Sequence, residues 1–112
     1  MSLSVVFAGS SEFAVVSLRG LTGAGLDVRA VLTQPDRPAG RRRRLTPTPV
    51  REAAEAAGLP VSMPVSLKDE AVVAALRDLR PDVMVVVDYG LLIPPAVLAL
   101  PRYGCINGHA SL

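Results

Sequence analysis

One cysteine, Cys105, leaves no partner for an intrachain disulfide and none for a multi-cysteine metal site. The chain also has a single histidine, His109, so a protein-only zinc site lacks ligands. Lys68 is the only lysine among 12 basic residues. Apolar runs reach about six to eight residues, far short of the roughly 20 that span a bilayer. The opening residues, MSLSVVFAGS, carry no basic lead-in and no long apolar run, so no secretory signal is expected. The turn Gly9-Ser10-Ser11-Glu12-Phe13-Ala14 lacks the G-x-G-x-x-G spacing that admits a pyrophosphate, which argues against NAD or NADP. No G-x-x-x-x-G-K-[ST] loop is present either. With 112 residues, 50% of them hydrophobic and 20% charged, the chain is one domain or less and not a disordered tail. The expectation is a soluble, cytoplasmic α/β protein.

What is present alternates between strand and helix signals. Leu3 to Ala8 is a short buried strand, and Ser10 or Ser11 caps a helix whose apolar face is Phe13, Val16, Leu18 and Leu21. Asp27 to Gln34 reads as a second strand. Pro35 to Pro49, with its prolines and arginines, reads as a long loop. Thr48-Pro49 opens a helix that Gly58 stops. Leu59 to Val65, broken by Pro60 and Pro64, is at most a short edge strand. Ser66 to Leu79 is a helix with Val72, Val73, Leu76 and Leu79 inward. Asp82 to Val87 does not alternate, as expected of a strand buried on both faces of a parallel sheet. A short helix over Pro94 to Leu100 and a last strand over Gly104 to Ala110 follow. The pattern predicts a doubly wound, mostly parallel sheet of Rossmann-like type, incomplete at its carboxyl end. Its final strand would offer an unpaired edge, so a homo-oligomer through that edge is expected.

Ligands in such sheets bind beyond the carboxyl ends of the strands. Asn107 and His109 stand two apart, so on an extended strand both side chains leave one face. An amide donates to a developing oxyanion, and an imidazole moves a proton near neutral pH. The plain alternative is a lone histidine at a frayed chain end. Asp88 to Pro94 either lines the pocket of a flat heterocycle or simply packs at a strand-to-helix turn. Cys105 reads as a small buried apolar residue. The net charge of +2 hides a contrast: Asp36 to Arg44 holds Arg37, Arg41, Arg42, Arg43 and Arg44 against one acid. That loop suits phosphate positioning, with no aromatic for base stacking, or is a solvated charge run.

Four segments, VVFAGSSEFAVVSL, VLTQPDRPAGRRRRLTPTPV, DVMVVVDYGLLIPPAVLALP and RYGCINGHASL, together resemble the methionyl-tRNA formyltransferases. The resemblance implies formyl transfer from 10-formyltetrahydrofolate to the amino group of methionine on initiator tRNA. It implies a catalytic pair in Asn107 and His109. It implies a folate site formed by Tyr89, Gly90, Leu91, Leu92, Ile93, Ser111 and Leu112. It implies tRNA contact through Arg37 and Arg41 to Arg44, with no metal and no membrane. A larger aliphatic residue is usual where Gly108 stands, alanine where Asp88 stands and proline where Ser11 stands. Residues 1–112 would be the amino-terminal portion of the catalytic domain. The resemblance implies that a further catalytic aspartate and the carboxyl-terminal tRNA-binding domain of the family would be absent from residues 1–112, so little activity is expected of this chain alone. A non-catalytic RNA-binding remnant and a folate-dependent formyltransferase with another amine acceptor are the alternatives.

Overall fold

The computed structural model describes residues 2–39 and 44–108. The first strand, β1 (Ser4–Gly9), leads into α1 (Glu12–Gly23) and β2 (Asp27–Leu32). A small hairpin follows, β3 (Arg37–Ala39) and β4 (Arg44–Thr46), and then α2 (Pro49–Ala56) and β5 (Val61–Ser62). The rest is α3 (Glu70–Asp78), β6 (Val83–Val87), α4 (Pro95–Leu98) and β7 (Cys105–Gly108). Five strands form one sheet in the order β5-β2-β1-β6-β7, and every pairing in it is parallel. The chain runs outward from β1 to β5, then returns to the other side of β1 as β6. Strand order therefore reverses between β1 and β6, where a doubly wound sheet opens a crevice.

Alternation along the strands feeds two cores. Val6 and Ala8 of β1, with Met84 and Val86 of β6, meet Leu76 of α3 and Val97 of α4. Phe7 and Val87 point the other way, onto Ala14, Val15 and Leu18 of α1 and Val50 and Ala54 of α2. Phe7 is fully buried, which stabilises the fold by about 1.5–3 kcal/mol relative to leaving it exposed. Register slips between β1 and β2, where Val5 faces Val28 but Val6 faces Ala30. The extra residue, Arg29, turns its guanidinium to Asp27 at 2.9 Å and to the Leu79 carbonyl at the end of α3 at 2.6 Å. No described helix is long and apolar enough to cross a membrane.

Three expectations differ in detail. The face of α1 is Ala14, Val15 and Leu18, whereas Phe13 and Val16 are exposed. Small residues win because the helix lies close to the sheet: a Cβ on Gly9 would stand 2.6 Å from the Val87 carbonyl oxygen and 2.8 Å from Ala14 Cβ. The third helix starts at Glu70, because Asp69 caps it by accepting from the Ala71 N–H, while Leu67 is buried ahead of it. The proline-rich stretch is not wholly loop, since Arg37, Pro38 and Ala39 pair antiparallel with Thr46, Leu45 and Arg44.

Candidate active site at the carboxyl ends of the strands

An open cavity of about 460 Å³ lies at the ends of β6 and β7. Tyr89, Gly90, Leu91, Leu92 and Ile93 form its wall, and Val86, Leu98, Cys105 and Asn107 complete the lining with Asp88. Five of the seven residues expected to line a folate pocket thus share one cavity with Asn107. Asn107 pairs with Val86 in register and is exposed, as is Ile106 beside it. Among the described residues β7 is the edge of the sheet, so the amide is not enclosed between strands as a central position would make it. His109, Ser111 and Leu112 lie outside the described residues, as do Arg41, Arg42 and Arg43. Arg37 heads β3, and Arg44 is an exposed residue of β4, so both belong to the hairpin.

The wall is held by polar groups from the neighbouring strand ends. The Tyr89 carbonyl accepts from Ser10 Oγ at 3.0 Å and from Gln34 Nε2 at 2.7 Å. Gly90 sits at φ +89°, and a Cβ there would collide with Gln34 Nε2, so only glycine suits this turn. The Asp88 carbonyl accepts from the Ser10 N–H at 3.0 Å, and its Oδ2 accepts from Ser11 Oγ at 2.9 Å. Ser10 and Gln34 did not emerge from the sequence as site residues. Their signal is positional: Ser10 follows β1, which flanks the crevice, and Gln34 lies just past β2, the next strand, which becomes meaningful only with the strand order known.

Gln34 also opens the neck of the arginine hairpin. Thr33 and Thr48 hydroxyls meet at 2.5 Å across that neck, and Arg51 donates to Asp36 at 2.5 Å. The hydrogen bond to Asp36 raises the Arg51 guanidinium above its ordinary value. This cation is therefore engaged within the fold, whereas Arg44 is exposed on the arm. Burial pushes the Tyr89 phenol up to about 12 and raises the Cys105 thiol. Both stay protonated at neutral pH, so neither is a ready nucleophile. Cys105 is half-buried rather than a core residue, and its Sγ donates weakly to the Leu98 carbonyl at 3.7 Å. What the described geometry supplies is an apolar-walled cavity with a neutral amide donor at one strand tip.

Comparison with known proteins agrees with this arrangement. The formyl transferase family pattern matches residues 2–112. The chain is 54% identical over 110 residues to methionyl-tRNA formyltransferase of Pelotomaculum thermopropionicum, an overlap of 98% of this chain and 35% of that protein. The enzyme of the same name from Stenotrophomonas maltophilia is 60% identical over 110 residues, covering 98% of this chain and 36% of the relative. The chain thus spans about a third of the length of the curated relatives it matches. Among solved structures, phosphoribosylglycinamide formyltransferase from Bacillus halodurans superposes with a TM-score of 0.65 at 17% identity, over 93% of this chain and 54% of that one. The Streptococcus pneumoniae enzyme of that name gives 0.60 at 19% identity, over 96% and 56%. These two likenesses concern the fold. With the family pattern running through the strands, the crevice and the cavity wall alike, the chain belongs to the formyl transferase family.

Proposed function

We propose that the site serves formyl transfer from 10-formyltetrahydrofolate to the α-amino group of methionine on initiator tRNA, in the cytoplasm, at the start of translation. Residues 1–112 supply the amino-terminal part of the catalytic domain of that enzyme. The observation that carries the reading is the shared cavity of Asn107 and the wall Tyr89 to Ile93, in a chain 54% and 60% identical to two proteins named for this reaction.

The amine attacks the formyl carbon, and its C=O electrons move onto oxygen. The Asn107 amide donates to that oxyanion, a charge that exists only along the reaction path. The tetrahedral intermediate collapses as the carbon–N10 bond breaks, N10 gains a proton and the new amide nitrogen loses one. His109 is assigned the proton transfer by its resemblance to the family's pair. The folate ring is assigned to the wall Tyr89 to Ile93, with Ser111 and Leu112 in the same site. Arg37, Arg41, Arg42, Arg43 and Arg44 neutralise phosphates near the acceptor end of the tRNA.

The test has a binding arm and a turnover arm. NMR shifts of the chain on titration with 5-formyltetrahydrofolate, a stable isomer of the donor, are expected to change at residues 86, 88–93, 98, 105 and 107. No change there refutes the donor-pocket reading. In an active chimera that joins this chain to the remaining length of the P. thermopropionicum relative, Asn107→Ala is expected to lower turnover of methionyl-tRNA about 10²–10³-fold. Unaltered turnover removes Asn107 from the chemistry.

A further inference from the structure

Asp88 stands at the seam between β6 and the cavity wall, with φ at +47°, a conformation that side chains seldom adopt. Aspartate and asparagine tolerate it better than most residues. Two bonds fix Asp88 there. Its carbonyl accepts from the Ser10 N–H at 3.0 Å, and its Oδ2 accepts from Ser11 Oγ at 2.9 Å. The same Ser11 Oγ accepts from the Ala14 N–H at 3.1 Å, closing the first turn of α1. One hydroxyl therefore joins the start of a helix to the start of the wall. The carboxylate also lies beside the positive end of α1, where a negative charge is favoured.

We propose that Asp88 is a positioning residue: through Ser11 it fixes the wall Tyr89 to Ile93 against α1, so that the donor meets a preset surface. The proposal rests on reading the cavity as the donor pocket. It differs from a catalytic role because Asp88 acts through Ser11 and the loop backbone, not on the reacting atoms. A preset wall raises affinity by removing the ordering cost that a loose loop incurs on binding.

Asp88→Ala removes both the link and the tolerance of the left-handed conformation, while Asp88→Asn keeps an acceptor oxygen and that tolerance. Backbone NMR order parameters of the ligand-free chain read the link without reference to folate. Those of Tyr89 to Ile93 are expected to fall below about 0.6 in Asp88→Ala and to stay at the wild-type level in Asp88→Asn, with β2 unchanged in both. The dissociation constant for 5-formyltetrahydrofolate is expected to follow suit, about tenfold weaker for alanine and within about twofold for asparagine. Where Asp88→Ala does not fold, Ser11→Gly reads the same link, since glycine retains most of the capping preference. Unchanged loop order parameters in a folded Asp88→Ala or Ser11→Gly chain overturn the proposal. So does a loosened loop whose folate affinity is unaltered, or an asparagine variant as impaired as alanine. A loop that loosens as expected in a chain whose wild-type form binds no folate overturns the donor-pocket reading and supports the link alone.

Discussion

Tyr89 gives its carbonyl oxygen two donors, Ser10 Oγ and Gln34 Nε2, yet its buried phenol Oη has no partner among the described residues. A buried hydroxyl without a partner costs about 1–3 kcal/mol, so Tyr89→Phe is expected to stabilise the chain by about 1 kcal/mol in urea unfolding. A lowered midpoint would contradict this. The same burial raises the phenol from 10.0 to about 12, so the folded form keeps its proton longer than the unfolded one. The phenol therefore adds no pH dependence below pH 10 and weakens the fold as pH climbs from 10 toward 12; the phenylalanine variant should lack that alkaline loss. Gly90 and Asn107 were legible in the sequence because a glycine in an apolar turn and a polar residue at a strand tip are locally unusual. Ser10, Gln34 and the Ser11–Asp88 contact were not, because serine and glutamine near turns are ordinary until a sheet makes them neighbours.

The elements were legible where one physical signal dominated. The unbroken apolar run of β6 specified a parallel strand, though only Met84, Val86 and Val87 are buried and Val83 and Val85 are half-buried; Thr48-Pro49 specified the start of α2, with Thr48 accepting from the Arg51 N–H at 3.1 Å. The hairpin of β3 and β4 was hidden because proline and glycine signal breaks, although proline is tolerated in a short ribbon outside the main sheet. The inward face of α1 was half legible: Leu18 is buried and Leu21 packs against the same core, but Ala14 and Val15 stand inward where Phe13 and Val16 were expected, and closeness to Gly9 selects alanine at position 14. Strand β7 carries an element-scale prediction. A Cβ on Gly108 would lie 3.4 Å from Val87 Cγ2, near ordinary contact, and the position has no left-handed φ. Gly108→Ala is therefore expected to stabilise by about 0.4–1 kcal/mol, chiefly by restricting the unfolded chain. Thermal unfolding checks it, and a lower midpoint would show that the strand needs the bare backbone.

At the scale of the molecule, the sheet is pinned at its opposite end by a reciprocal bracket between distant residues. The Ser4 N–H donates to Asp82 Oδ2 at 2.9 Å, and the Asp82 N–H donates to Ser4 Oγ at 2.8 Å. The bond from the Ser4 backbone holds the Asp82 carboxyl below its ordinary 3.8. The folded protein therefore binds this proton less readily than the unfolded chain. The stabilisation from Asp82 is complete above about pH 4 and is lost as acid protonates the folded carboxyl. Asp82→Asn is expected to flatten the decline of stability between pH 4 and pH 2, measured by urea unfolding at each pH; an unchanged slope would assign that decline to other carboxyls.

The two cores fed by alternate residues of β1 carry one more consequence. Val6 and Phe7 are joined by a peptide bond, yet they pack with different helices on opposite sides of the sheet. Val6 shares its surroundings instead with Val86, far along the chain. Damage to this protein therefore spreads by parity rather than by proximity in sequence: a defect at an even position of β1 is felt by α3 and α4, and one at the next odd position by α1 and α2.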